Sequence, residues 1–363
     1  MTGIRFVAAF WVLVYHTMPR AGLPALVVSF ADSGYLGVSL FFVLSGFILG
    51  HVYGEDAAAG TLRAGPFLRA RFARIYPAYL AALLFAIPLF VRELRVSGAP
   101  HPFVLGGICM AAVTMTQAWV PGWACWWNCP GWSLSVEAFF YLAFPLLAPV
   151  VLRRSNRGLV VLGAVSVLLL VAFAFVLGTA PANPEAARYG WLPSLQLTPW
   201  TPLVRLPEFV LGLCTVRLLR ATDRVRLGST SSSLMLGLVL VAIVLASGAN
   251  IGLVRVAAIA LPTALLVAAL ADPTHDYLLG SPVFVRLGNA SYSLYLFHAT
   301  MYSYFLALAN RSLGRVWAQG WTAWTLYVVL ALGLSIVVHD RLELPARRLL
   351  RGRHGAASAA SAW

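Results

Sequence analysis

Eleven apolar runs, each long enough or nearly long enough to cross a bilayer, set the terms on which this chain can fold. They lie at about 4–20, 34–52, 76–92, 102–119, 132–152, 158–177, 202–219, 232–248, 253–271, 288–309 and 321–341. In hydrocarbon every backbone N–H and C=O needs a partner within the protein, so such runs read as transmembrane helices. The polar segments between them are too short to fold alone. The expectation is an all-α polytopic membrane protein, with one transmembrane domain over 1–350 and a short, polar, disordered tail over 351–363. The formal net charge of +14 raises nucleic acid as a partner, but the chain has no lysine and its arginines sit mostly in short loops between apolar runs. Charge so placed orients a protein in a membrane, and nucleic acid is not expected as a partner.

The arginine clusters test the span count. Arg63, Arg69, Arg71 and Arg74 lie between the second and third runs; Arg153, Arg154 and Arg157 follow the fifth. Arg217, Arg220, Arg224 and Arg226 follow the seventh, and Arg347, Arg348, Arg351 and Arg353 close the chain. If all eleven runs cross, the Arg153 cluster falls opposite the Arg69 cluster. The run 102–119 is interrupted by Gly106, Gly107, Thr114, Thr116 and Gln117. If it is re-entrant or interfacial, every cluster falls on one side, which is then the cytoplasm. The reading is therefore a bundle of about ten transmembrane helices, with eleven as the alternative, in the cytoplasmic (inner) membrane with both termini inside. The segment WVPGWACWWNCPGW and the loop 178–201 then lie outside. The tryptophans suit either an interfacial belt or stacking on sugar rings. Cys125 and Cys129 are in place for a disulfide if that loop is not cytoplasmic, and without a local histidine they make a weak metal site. Cys109 and Cys214 read as core residues, and no metal is expected.

Chemistry-bearing residues recur at set places on these runs. The opening stretch MTGIRFVAAFWVLVYHT carries Arg5 and His16 eleven positions apart, about three turns, so both leave one face roughly 16 Å apart. A cationic and an imidazole side chain on one stripe of a membrane helix either serve a site or are a snorkelling arginine and a structural histidine. In GVSLFFVLSGFILG, Gly37, Ser39, Ser45 and Gly46 suit close helix approach. Arg69, Arg71 and Arg74 in RARFARIYP are suited to phosphate by their planar, permanently charged forks, or to membrane anchoring. In GWSLSVEAFFYL, Ser133 and Glu137 share a face, and Trp132 precedes them. Glu137, entering from outside, is placed at the depth of His16, and a carboxylate beside an imidazole orients a general base. Glu208 has Arg205 three residues earlier and reads as half of a structural pair. Ser291, Tyr295 and His298 in GNASYSLYLFH share a face, either lining a channel or bonding helix to helix.

Taken in order, Arg5 with His16, GVSLFFVLSGF, RARFARIYP, WSLSVEAFFY, PEFVLG and GNASYSLYLFH resemble the acyltransferase family 3 membrane proteins. That family includes bacterial polysaccharide O-acetyltransferases and macrolide acyltransferases. The resemblance spans nearly the whole chain. It implies an acyl group, in the simplest case acetyl, taken from cytoplasmic acyl-CoA as co-substrate and passed to a hydroxyl of a glycan, glycolipid or related envelope or secondary-metabolite acceptor. It implies catalytic roles for His16 and Arg5, a place in the site for Glu137, and donor binding by Arg69 and Arg71, with Arg74 beside them. Ser45, Trp132, Ser133, Tyr295 and His298 are the candidate channel-lining residues, and no bound cofactor is expected. A second class is a transporter or flippase for a lipid-linked sugar or other anionic substrate, with Arg5, Glu137, Glu208 and His298 along its path.

Overall fold

A computed structural model describes residues 2–178, 198–221, 252–270 and 278–351. The run expected at 232–248, most of the loop 178–201, and the tail beyond 351 lie outside the described residues. Within them the chain is all α, with short 3₁₀ turns, one π-helical turn and no strand.

The helices are α1 (Thr2–Thr17), α2 (Ala25–Asp32), α3 (Gly37–Ala59), α4 (Ala64–Ser97), α5 (Pro102–Val113), α6 (Trp132–Leu152) and α7 (Asn156–Gly178). They continue as α8 (Pro202–Ala221), α9 (Gly252–Ala269), α10 (Pro282–Leu313), α11 (Arg315–Ala318), α12 (Trp321–Val338) and α13 (Leu344–Arg351). By length and composition, five helical stretches among the described residues can cross a membrane: 25–59, 64–97, 129–152, 156–176 and 321–350. The first span expected from the sequence, α1, has only 16 residues. The seventh, α8, carries Arg205, Glu208, Arg217 and Arg220. At 34 residues α4 is about 51 Å long, well over the ~30 Å of hydrocarbon. Its two ends therefore project, with Arg69 near one and Arg95 near the other.

The interrupted run at 102–119 becomes the 12-residue α5, about 18 Å long and too short to cross. Two residues past its end, Met115, with a φ of 56°, turns the chain. Gln117 then fastens the return by donating from Nε2 to the Tyr79 hydroxyl at 3.0 Å and to the Gly131 carbonyl at 2.8 Å. In the loop that follows, Cys125 and Cys129 form a disulfide. Cys214 is buried as expected, but Cys109 is only half-buried, because α5 packs on one side alone.

Two crossings hold the bundle, and glycine sets both. Gly46 on α3 and Gly212 on α8 face each other: a Cβ on Gly46 would come within 2.0 Å of the Phe209 carbonyl oxygen, and one on Gly212 within 2.1 Å of that of Val43. Gly288 on α10 meets Thr2 of α1 in the same way, at 2.1 Å. Backbones this close gain dispersion contacts that larger residues would prevent. Beside the first crossing, Arg205 and Glu208 pair at 3.0 Å, both buried, and Arg205 Nη2 donates to Ser39 Oγ at 3.1 Å, bracing α8 on α3.

One end of the bundle gathers arginines. Arg153 Nε donates to the Ala58 carbonyl at 2.7 Å, Arg220 Nη2 to that of His51 at 2.6 Å, and Arg217 Nε to that of Leu152 at 3.1 Å. Arg153, Arg217 and Arg220 thus gather at the C-terminal ends of α3 and α6. These cations also oppose the negative ends of the helix dipoles.

Candidate active site

A cavity opens between α1, α3, α4, α6 and α10, and its polar wall carries Arg5, Arg71, Arg74, Glu137 and Tyr141. Ser45, Ser133, Tyr292 and Tyr295 complete the polar lining, and apolar side chains, mostly of α3, cover the rest. Its volume is about 80 Å³, space for roughly five to eight waters. That suits a narrow flexible arm and not a nucleotide.

Each polar side chain is there for a local reason. Arg71 and Arg74 are three residues apart and share a face of α4; Arg69, two positions before Arg71, points elsewhere and is exposed outside the cavity. Buried Arg71 donates from Nη2 to the Tyr53 hydroxyl at 2.9 Å, and its guanidinium lies 5.2 Å from that ring's centre. Its Nε is buried with no hydrogen-bond partner, a donor left for a ligand oxygen to satisfy. Glu137 accepts a hydrogen bond from Tyr141, one turn along α6. Ser133 bonds to the Tyr295 hydroxyl at 2.7 Å, joining α6 to α10. Tyr292 donates to the Ile75 carbonyl at 2.6 Å and so closes α10 on α4.

His16 and His298 do not line this cavity. They form their own pair just beyond it, with His298 Nε2 3.0 Å from His16 Nδ1. His298 Nδ1 donates to the Tyr295 carbonyl at 2.7 Å, so in the neutral ring its Nε2 is the acceptor. His16 Nδ1 must then carry the hydrogen, shared between His298 Nε2 and the Val12 carbonyl at 2.9 Å. This tautomer leaves His16 Nε2 with a free lone pair on an exposed ring. The expected contact of His16 with Glu137 is thus replaced by one with His298. On α1, His16 turns toward α10, whereas on α6 Glu137 turns toward the arginines of α4. Trp132 is likewise outside the cavity, edge-on to Phe42 and near the Arg205 guanidinium.

Sequence reasoning passes over Tyr53, Tyr141 and Tyr292. Tyr141 is the findable one, lying four residues after Glu137 in the same helix. No cluster of metal-ligating side chains occurs among the described residues.

The described residues thus form an all-helical bundle, with several stretches long and apolar enough to cross a membrane, around a cavity with a cationic wall. The family model Acyl_transf_3, described as an acyltransferase domain, matches residues 1–340, and the chain belongs to that family: it is an O-acyltransferase. It is 31% identical to the acyltransferase MdmB of Streptomyces mycarofaciens, over 99% of this chain and 94% of that protein. A shorter match, 45% identical over 103 residues, joins it to protein 2 in the picA locus of Rhizobium radiobacter, covering 28% of this chain and 50% of that protein. No solved structure matches the chain.

Proposed function

We propose that the protein transfers an acyl group, acetyl in the simplest case, from cytoplasmic acyl-CoA to a hydroxyl of a glycan, glycolipid or related envelope or secondary-metabolite acceptor. The observation that carries this reading is the order of the groups: Arg71 and Arg74 at one part of a narrow slot, Tyr295 at another, and the His298–His16 pair directly behind Tyr295. Phosphates of the donor dock on Arg71 and Arg74, with the nucleotide outside and the pantetheine arm in the slot. Arg5 and Glu137 line that path, where the carboxylate balances the cations. His16 Nε2 takes the proton from the acceptor hydroxyl as its oxygen attacks the thioester carbonyl. The C–S bond then breaks, and the departing thiolate takes the proton from His16. Nδ1 keeps its hydrogen throughout, held by Val12 and His298.

The same reading gives about ten spans in the inner membrane, both termini cytoplasmic, and one domain over 1–350. The short α5 and the gathering of Arg153, Arg217 and Arg220 at the C-terminal ends of α3 and α6 support it. Single cysteines at 54–66 and 153–157 should react with an impermeant label only from inside, and those at 120–124 only from outside. Outside labelling at 153–157 restores eleven spans. Membership of an acyltransferase family favours transfer over the transporter alternative.

Donor binding is the test of function. Arg71→Ala should raise the KM for acyl-CoA about 10-fold or more, the scale of a lost charge-assisted hydrogen bond. Arg71→Lys should restore only part, since a point charge lacks the fork. Arg69→Ala, outside the slot, should change KM little. Equal effects of the two alanine variants would remove the slot as the donor site.

A further inference from the structure

We infer that Arg20 and Asp32 are positioning residues for His16: a clamp that fixes the last turn of α1, and with it the ring that takes the proton. The inference rests on the proposed function for His16's role but on independent contacts. α1 ends at Thr17: the Val14 carbonyl still accepts from the Met18 N–H at 3.0 Å, but that of Tyr15 meets Pro19, which has no N–H to give, so the carbonyls around this turn are only partly satisfied by backbone. Arg20 returns to them. Its Nη2 donates to the Tyr15 carbonyl at 2.9 Å, and its Nη1 to that of Val14 at 3.3 Å and to that of Met18. Its Nε donates to Asp32 Oδ1 at 2.9 Å. One guanidinium therefore grips the carbonyls on both sides of His16 and ties them to the last residue of α2.

α2 itself is held beside α1 through a second contact. Trp11 Nε1 donates to the Phe30 carbonyl at 2.9 Å, and the two rings stack with centres 5.2 Å apart. Leu26, Val27 and Phe30 are exposed on α2, so little else packs it against α1. On the other flank, Thr17 Oγ1 donates to the Leu13 carbonyl at 2.7 Å and accepts from Trp324 Nε1 at 3.0 Å. His16 is the exposed side chain between these two anchored neighbours. An exposed ion pair adds little to global stability. A small displacement of a reacting group, by contrast, costs up to 10²-fold in rate. The clamp should therefore be felt in turnover and not in folding.

Arg20→Ala, Asp32→Asn and the double variant, purified in detergent, separate these. Each single variant should lower kcat about 10-fold with donor KM and melting temperature near wild type. The double variant should fall no further than Arg20→Ala, because both break one linkage. Arg20→Lys should recover part of kcat. Diethylpyrocarbonate gives a readout that needs no turnover: mass spectrometry should show His16 carbethoxylated several-fold faster in Arg20→Ala than in wild type. Unchanged kcat and unchanged His16 reactivity in Arg20→Ala overturn the clamp, as does a kcat loss matched by a fall in melting temperature. A wild-type protein that consumes no acyl-CoA overturns the functional reading instead, and the reactivity of His16 then decides the clamp by itself.

Discussion

His16→Ala should abolish detectable acyl transfer while the protein still inserts, folds and binds acyl-CoA. Losing a positioned base costs ~10²- to 10⁴-fold in rate, and Nε2 of His16 is the bare nitrogen of the pair. The ring is exposed, so its removal leaves no buried cavity and only a modest effect on stability is expected. His298→Ala should act differently. It leaves His16 in place but removes the acceptor that shares its Nδ1 hydrogen, so kcat should fall roughly 10-fold or more with donor KM unchanged. His298 is buried and its carbonyl accepts from Tyr327 at 2.8 Å, so melting temperature must be recorded alongside. Activity in His16→Ala near wild type would rule out His16 as the base.

The largest structural effect is expected at the α3–α8 crossing. Gly46→Leu puts a side chain where a Cβ alone would stand 2.0 Å from the Phe209 carbonyl oxygen and 2.9 Å from its carbon. Neither neighbour is a flexible side-chain end, so the helices must part. Overpacking costs typically 1–3 kcal/mol, and a clash of backbone against backbone belongs at or above about 3 kcal/mol. Gly46→Leu and Gly212→Val should each yield little folded protein by size exclusion in detergent. Gly65→Ala, where nothing lies within 4 Å of a Cβ, is the control and should behave as wild type. Normal yield from Gly46→Leu would mean that α3 and α8 do not cross as described.

Much of this is legible in the sequence, and the failures have a common cause. Helix spacing gives the face that carries Ser291, Tyr295 and His298, all three of which are buried. The interruption of 102–119 by polar and small residues anticipates a helix too short to cross. The small residues of GVSLFFVLSGF announce a close crossing, and Gly46 makes it. What one helix's sequence does not contain is which neighbour each of its faces meets. Agreement in depth pairs Glu137 with His16, yet depth fixes one coordinate and leaves rotation about the axis free. Rotation sends His16 to α10 and Glu137 to its own Tyr141. The three arginines of RARFAR read as one set for the same reason. Only the two that share a face, Arg71 and Arg74, enter the slot. Arg20 gives no signal in the sequence because a cation just past a helix end is common, and only its contacts show what it holds.

The central claim is acyl transfer from acyl-CoA to a hydroxyl, run by the imidazole pair. It is tested most directly by giving purified protein radiolabelled acetyl-CoA with an envelope extract and following label into alkali-labile esters as CoA is released. The account predicts label incorporation and stoichiometric CoA release by the wild type, with neither by His16→Ala although it still binds the donor. Equal incorporation by His16→Ala, or label that appears without release of CoA, would contradict it.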